Sequence, residues 1–352
     1  KCQFKKPLIK PEQKGISCGI RPRLFNFRSS TYIKITEGCN NCCTFCAIPL
    51  IRGNLRSRKI NEIVEEIRGF IEEGIYEFNL IGQDLGMFGM ENLEDPSPSP
   101  LSLLLKEIKN LSGRFIIRLL YIHPDHFPLD ILPVMKSDER FLPYFDIPFQ
   151  SGSNSIIQKM NRKGSYQSYL QLISTIRSFF NDGKYDFVAI RTTFLVGFPG
   201  EKEEEFLETF NFLKDLKPLF SGVFTYSKEE DTPAFNMKDQ VLEKIKKKRQ
   251  RILEKEQQKI TSELLKMCLN HTFLVLVEEL IENNGEHLAI GRAWFQAPDV
   301  DGVVVFDYNE NNMAINGTKI EEGSLVWVKM KRISDFDLVG SACGDMKSET
   351  RT

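Results

Sequence analysis

The sequence of 352 residues predicts an α/β domain built as a partial (β/α)6 barrel, followed by a small all-β barrel. Two observations support this fold class. Strand and helix patterns alternate six times between residues 31 and 237, and the strand at 187–196 is apolar almost throughout, as expected of a parallel strand covered on both faces. After Asn270 the pattern changes to short apolar strands separated by turn residues such as Asn316–Gly317.

Each element follows from its local pattern. Apolar residues at Ile60, Ile63 and Ile67 have helical spacing, and Gly74 ends that predicted helix. In the first domain, strands are predicted over 32–36, 77–81, 115–121, 142–147, 187–196 and 222–226, and helices over 60–73, 101–111, 153–160, 165–179 and 201–216. A long charged helix over 239–267 leads to five predicted strands at 273–278, 288–293, 302–306, 324–330 and 338–341.

The resulting domain boundaries are a linker over 1–30, an α/β domain over 31–237, a bridging helix over 238–270, a β-barrel over 271–345 and a tail over 346–352. The linker contains prolines and glycines without periodicity, and the sequence begins without Met. We therefore expect the chain to be a fragment that lacks an N-terminal domain.

The charges are balanced overall, with a net charge of −1, but they are unevenly distributed. Residues 1–35 have a net charge of +8, and residues 271–345 have a net charge of −8. The bridging helix carries nine basic residues against four glutamates, which is typical of a solvated helix or of a nucleic-acid contact. No signal peptide and no apolar run of membrane-spanning length is recognisable, so a cytoplasmic location is expected.

Four cysteines lie close together in the sequence Thr36–Cys46, TEGCNNCCTFC. Cys39, Cys43 and Cys46 have the spacing C-x-x-x-C-x-x-C, and Cys42 offers an alternative C-x-x-C pair with Cys39. Thiolates on so short a loop can converge on a metal at little entropic cost. A zinc site would need a fourth ligand, usually from a second pair, and the other cysteines are single. Three thiolates instead suit a 4Fe–4S cluster with one iron left open.

Several motifs resemble those of the radical S-adenosylmethionine (SAM) methylthiotransferases. They are EGCNNCCTFC, IRGNLRSRKI, IGQD, YIHP, DIPFQSGSNSIIQKMNRKGS, RTTFLVGFPGE and AIGRAWFQAPDVDG, in this order between about residues 32 and 341. Within the family, the sequence is most similar to the RimO type, which modifies an aspartate of a ribosomal protein. The resemblance implies a radical SAM barrel and a C-terminal TRAM barrel. It also implies an N-terminal domain with a second 4Fe–4S cluster, which this sequence does not match.

The resemblance implies that Cys39, Cys43 and Cys46 hold the cluster, while Cys42 is a bystander. The amino and carboxylate groups of SAM would fill the open iron site. An electron from the cluster would then cleave SAM to a 5′-deoxyadenosyl radical. Phe45 is expected on the adenine side of the bound SAM.

Further cofactor contacts are expected where the strands end. Gln83 and Asp84 follow the second strand, where the family holds the amino group of SAM, although ordinary strand-end solvation would also explain them. Gln150 and Ser151 follow the fourth strand and are expected to reach the ribose or the carboxylate of SAM.

Arg191 lies in an apolar strand, where a cation needs an anionic partner. That partner is either the carboxylate of SAM or a structural carboxylate such as Asp146. The segment GFPG, with Gly197 and Phe198, either allows the backbone to approach the adenine or forms a plain turn into the next helix.

The function predicted from the resemblance is the addition of a methylthio group to the β-carbon of an aspartate in a small-subunit ribosomal protein. A low-potential electron donor of the flavodoxin or ferredoxin type would be the partner. A tRNA adenosine methylthiotransferase is the first alternative, but a barrel with a net charge of −8 would repel RNA and attract a basic protein. A non-catalytic, zinc-stabilised binding module is the second. The carboxylates expected to dock the substrate are Glu278, Glu279, Asp299, Asp301, Asp335 and Asp337.

Overall fold

The computed structural model describes residues 29–93, 96–181, 187–283 and 286–343. The predicted linker, except for Ser29 and Ser30, and the predicted tail lie outside the described residues. None of the described helices is both long enough and apolar enough to cross a membrane.

The first domain is a six-stranded sheet in which all neighbouring strands are parallel. Its strands follow the chain in the order β1-β4-β5-β6-β7-β8, with a two-stranded antiparallel pair, β2 and β3, beside the cysteine loop. The bounds are β1 (Ser30–Lys34), β2 (Thr36–Glu37), β3 (Arg56–Ser57), β4 (Glu77–Ile81), β5 (Ile116–Leu119), β6 (Phe141–Asp146), β7 (Ala189–Val196) and β8 (Phe220–Thr225). The predicted partial barrel is confirmed.

Helices connect these strands, as parallel pairing requires. They are α1 (Ile48–Arg52), α2 (Ile60–Glu72), α3 (Pro100–Lys109), α4 (Ile131–Lys136), α5 (Asn154–Lys159), α6 (Tyr166–Phe180), α7 (Glu203–Leu216) and the bridging helix α8 (Glu243–Leu265). The side chain of Ser99 caps α3, and a capping box at Ser165 begins α6. The sequence did not predict α1 and α4, which have five and six residues.

The second domain is a closed barrel with the strand order β10-β11-β13-β12-β9. Its strands are β9 (Thr272–Asn283), β10 (Glu286–Arg292), β11 (Val304–Tyr308), β12 (Leu325–Ser334) and β13 (Asp337–Ala342). The predicted five-stranded barrel is confirmed, although β9 and β12 are longer than predicted. At Gly291 the register shifts, and a Cβ atom there would lie 2.3 Å from the carbonyl oxygen of Leu276.

The two faces of the sheet have different partners. Alternate residues such as Ile33, Phe78 and Ile117 are buried in one core with the helices. Residues on the other face of the sheet, such as Tyr144 and Ala189, share a second core with the β-barrel. The barrel therefore covers the sheet face that lies opposite the helices.

A buried ion cluster joins the two domains at Glu77, the first residue of β4. Its carboxylate accepts hydrogen bonds from Arg118 Nη2 (2.9 Å) and Arg292 Nη2 (2.7 Å), and Arg292 also pairs with Glu278. Although burial alone would raise the pKa of Glu77, the two guanidinium groups hold it far below its ordinary value. The carboxylate therefore stays ionised inside the interface.

A second ion cluster places Arg191 between two carboxylates. Its Nη1 atom lies 3.1 Å from Asp146 Oδ1, and its Nε atom lies 3.3 Å from Asp301 Oδ1 in the β-barrel. The side chain of Asp301 is fully buried and also accepts a hydrogen bond from the Tyr144 hydroxyl at 2.6 Å. The structure thus gives Arg191 structural carboxylates as partners, including the Asp146 alternative.

These contacts correct the predicted docking surface. Glu278 and Asp301 are not available to a substrate, because each pairs with a buried arginine. The others are also engaged within the protein: Asp299 with the Tyr32 hydroxyl, Asp335 with Gln258, and Asp337 with the backbone N–H of Val303. Of the six predicted carboxylates, only Glu279 is an exposed residue without such a contact among the described residues. Glu278 and Asp301 serve the domain interface instead.

We predict that Glu77→Gln lowers the free energy of unfolding by about 3–5 kcal/mol, because it leaves buried Arg118 without its counter-ion and buried Arg292 with Glu278 alone. Denaturant unfolding at pH 7 measures this difference. Glu279→Gln, which changes an exposed carboxylate on β9, is the control and should have little effect.

The difference in the free energy of unfolding between wild type and Glu77→Gln should also depend on pH. The pKa of Glu77 is lower in the folded state than in the unfolded state. The carboxylate therefore contributes its full stabilisation above the unfolded-state pKa of about 4.3, and this stabilisation is lost as the pH falls. The gap between wild type and Glu77→Gln should therefore narrow below about pH 4. A gap that widened in acid would contradict this assignment.

Candidate functional site

The candidate residues meet at the carboxyl ends of the parallel strands. The cysteine loop follows β1 and β2, Asp84 follows β4, and His123 follows β5. Gln150 follows β6, and Gly197 follows β7. Because the sheet is parallel, all these segments lie along one edge, where barrels of this kind place their chemistry.

The start of the cysteine loop is fixed by close backbone contacts. Gly38 has a φ of +78°, and a Cβ atom there would lie 2.1 Å from the carbonyl oxygen of Asn54. Cys39 N donates to the Gly53 carbonyl oxygen (3.2 Å), and Asn40 Oδ1 accepts from Leu55 N (3.0 Å). The loop is therefore held, around its first thiol, by the segment that precedes β3.

Cys39, Cys43 and Cys46 form one group of thiols. The pKa of Cys39 is raised to about 12. Burial is the main cause, and the neighbouring Asp84 and the other two thiols also contribute. The pKa of Cys46 is raised chiefly by burial and then by Cys43. Three thiolates on one short loop need a cation beside them, and iron would supply that charge. The donor set thus fits a 4Fe–4S cluster.

Cys42 has a different setting within the same turn. Its carbonyl oxygen accepts a hydrogen bond from Asn161 Nδ2 at 2.9 Å, and its sulfur lies 3.6 Å from the carbonyl oxygen of Asn40. Cys42 is disulfide-bonded, whereas Cys39, Cys43 and Cys46 are free thiols. The structure therefore groups the three thiols of the longer spacing.

Asp84 connects the cysteine loop to the ends of β4 and β5. One carboxylate oxygen accepts from the backbone N–H groups of Gly86 and His123 (both 3.0 Å), and the other accepts from Asn41 Nδ2 (2.8 Å). His126 Nδ1 lies 3.1 Å from that second oxygen. Although burial opposes its ionisation, these hydrogen bonds hold the pKa of Asp84 below its ordinary value. Asp84 therefore organises the loop, and is less suited to hold SAM directly.

Gln83 is the better candidate for the amino group of SAM. Its Oε1 atom is buried and has no hydrogen-bond partner among the described residues. An unsatisfied buried acceptor is costly, and an N–H of the amino group of SAM would satisfy it. This orphaned oxygen fits the SAM expected at this strand end.

The predicted adenine residues lie together on the other side of the loop. Phe198, Tyr226 and Met160 form a small apolar cluster on which Phe45 packs, and the rings of Phe198 and Tyr226 meet edge to face. Gly197 has a φ of +74°, and a Cβ atom there would lie 2.3 Å from Lys246 Cγ. The glycine is thus required both by its backbone conformation and by the close approach of α8.

Gln150 and Ser151 have different positions. Gln150 has a φ of +70° and is held by backbone hydrogen bonds to Thr193 and Leu195, so its side chain stands at the strand edge, partly exposed. The Ser151 hydroxyl is fully buried and is shared with Thr209 of α7 (3.0 Å) and Ser153 N (3.1 Å). Of this pair, only Gln150 remains a good candidate for a SAM contact.

Sequence reasoning missed several residues that the fold brings to the site, namely Asn41, His123, His126, Asn161 and Tyr226. His123 lies 3.9 Å from Cys43 Sγ through its Nε2 atom. The motif YIHP, directly after a predicted strand, was the available signal, because a polar ring at the carboxyl end of a parallel strand faces the site. Burial lowers the pKa of His123 to about 3, so the ring is neutral.

Comparison with known proteins identifies two domain families in this chain. The Radical SAM superfamily matches residues 33–213, and the TRAM domain matches residues 271–343. The ribosomal protein uS12 methylthiotransferase RimO of Treponema denticola is 52% identical, over 96% of this chain and 74% of the relative.

More distant relatives carry the same name. The RimO proteins of Dictyoglomus thermophilum and Clostridium novyi are 40% and 36% identical, over 88% and 89% of this chain. The chain spans 66% of the length of each of these two relatives. The chain belongs to the RimO methylthiotransferases, a family of radical SAM transferases.

Proposed function

We propose that this chain is the SAM-cleaving and substrate-binding part of a methylthiotransferase that modifies ribosomal protein uS12. The product would carry a methylthio group on the β-carbon of an aspartate. The observation that carries the proposal is the group of three thiols at the carboxyl edge of the sheet, with an unsatisfied Gln83 oxygen on one side and the Phe198 cluster on the other. The names of the relatives supply the substrate.

The residues of the site then have distinct roles. Cys39, Cys43 and Cys46 would hold a 4Fe–4S cluster, which when bound supplies the electron that cleaves SAM. Gln83 accepts from the amino group of SAM, and Gln150 is placed to contact its polar groups. The buried face formed by Phe45, Phe198 and Gly197 excludes water from the adenine. Arg191 and Ser151 have structural roles. Arg191 joins the β-barrel to this edge, and Ser151 joins α7 to it.

The proposal also includes a further domain of the whole enzyme and an electron donor. The resemblance places a second 4Fe–4S cluster in an N-terminal domain of the family, which we retain as part of the whole enzyme. A flavodoxin or ferredoxin would provide the electron, and a ribosomal substrate supports a cytoplasmic location.

The substrate surface is revised to the exposed carboxylates of the barrel. Glu279, Glu321 and Glu322 are exposed, and no described residue neutralises them. Such charges contribute little individually but steer a basic ribosomal protein toward the barrel. They would repel the phosphates of tRNA, which disfavours the tRNA enzyme. The thiol group and the SAM-binding features likewise disfavour a zinc-stabilised binding module.

The first prediction concerns the cluster. After anaerobic reconstitution, the protein should bind one 4Fe–4S cluster, Cys43→Ala should lose it, and Cys42→Ala should keep it, because only Cys43 belongs to the thiol group. Iron and sulfide analysis measures the result. Loss in Cys42→Ala with retention in Cys43→Ala would show that the other cysteine set is correct.

The second prediction concerns catalysis. With SAM and dithionite, the reconstituted protein should release 5′-deoxyadenosine, and Cys43→Ala should not. In the full-length enzyme, mass spectrometry of uS12 should show one methylthio group in place of a hydrogen on an aspartate. Modification of a tRNA adenosine with unmodified uS12 would instead establish the tRNA enzyme.

The third prediction concerns docking. Reversing Glu321 and Glu322 to Lys should slow association with uS12 by roughly tenfold at low salt, and the difference should shrink as salt is added. Reversing Glu72 and Glu73, an exposed pair at the end of α2, makes the same change in net charge and is the control. Equal slowing by both pairs in stopped-flow measurements would mean that net charge, rather than the barrel surface, steers the substrate.

A further inference from the structure

We propose that His123 donates a hydrogen bond from Nε2 to the sulfur of Cys43 and thereby raises the reduction potential of the cluster. This inference rests on the proposed function, because it needs a 4Fe–4S cluster on the three thiols. His123 is a positioning and tuning residue here, since it acts on the cluster through one of its ligands.

The backbone fixes which ring nitrogen carries the proton. The backbone N–H of Asp125 points at His123 Nδ1 over 3.2 Å. A backbone N–H can only donate, so Nδ1 is an acceptor and carries no proton. An imidazole ring carries a proton on at least one nitrogen, so that proton is on Nε2, which lies 3.9 Å from Cys43 Sγ.

The ring has little freedom to leave this position. His123 is 7% exposed, and its ring stacks on His126 with 5.0 Å between the centroids. Its own backbone N–H donates to Asp84, while the carboxylate of Asp125 is held by the backbone N–H groups of Lys163 and Gly164. Both the ring and the group that sets its tautomer are thus anchored to neighbouring elements.

Cys43 is the thiol where a side-chain donor has most effect. It is the most buried of the three, at 7% exposure, and the low local polarity strengthens a hydrogen bond to its sulfur. Cys39 Sγ instead accepts from the backbone N–H of Asn41 at 3.4 Å. The hydrogen bond to Cys43 comes from a side chain, so a single substitution of His123 can remove it.

The direction of the effect follows from charge. The reduced cluster carries one more electron than the oxidised one, and part of that charge resides on the cysteine sulfurs. An N–H donor stabilises the more negative form, so it favours reduction and raises the potential. A higher potential makes it easier for a flavodoxin or ferredoxin to load the electron.

The same residues do not form a separate cation site. The ligand atoms of Asp84, His123 and His126 lie within 4.8 Å of one another. However, both oxygens of Asp84 and Nδ1 of His123 already accept hydrogen bonds from the protein. A metal would have to displace these bonds, so the group is better explained as the support of the cysteine loop.

The test is a redox titration of the reconstituted protein, followed by electron paramagnetic resonance. His123→Leu should keep its iron but show a lower potential, so that at a fixed applied potential the ratio of reduced to oxidised cluster falls about threefold to tenfold. His123→Gln keeps an N–H donor and should recover part of the shift. His271→Leu removes an exposed histidine of the β-barrel and should leave the potential unchanged.

The outcomes separate this inference from the proposed function. A wild-type protein that binds no cluster would refute the proposed function itself. A normal cluster in His123→Leu with an unchanged potential would overturn only the hydrogen bond. If His123→Leu loses iron, His123→Gln decides: a cluster with a potential near the wild-type value supports the donor, and loss of iron there too shows a merely structural role.

Discussion

The parallel pairing of the six sheet strands is the constraint on which the site depends. It brings segments separated by more than a hundred residues to one edge, so that the cysteine loop after β1 faces the ends of β4, β5 and β7. Asp84 then locks this edge, because its carboxylate accepts from both the cysteine loop and the β5 end. A rigid frame of this kind holds the three cysteines in one arrangement.

The opposite face of the sheet is organised by buried charges. Glu77 binds Arg118 of its own domain and Arg292 of the barrel, and Arg191 binds Asp146 and Asp301 in the same way. Burying ions is costly, so such clusters add less stability than an apolar contact of equal size. Their directional hydrogen bonds fix the position of the barrel. The barrel is thereby held in a defined position against the sheet.

The distribution of charge in the barrel illustrates why net charge is a poor guide to a surface. The count of acidic residues in 271–345 correctly disfavours a phosphate-binding barrel. It does not show which carboxylates reach solvent. Asp301 and Glu278 form ion pairs with buried arginines, while Glu321 and Glu322 remain exposed. The exposed acidic surface of the barrel is thus smaller than the sequence suggests.

The sequence by itself determined the order of the strands and the major helices, the two domains, the cysteine loop and the family, because these depend on local periodicity and on short motifs. Only the tertiary structure decided the partner of Arg191, the burial of Asp301 and the place of His123 beside Cys43. The physical reason is distance along the chain: Glu77 and Arg292 are 215 positions apart, and Cys43 and His123 are 80 apart. Contacts of that range are set by how sheet, helices and barrel pack, which no local pattern records.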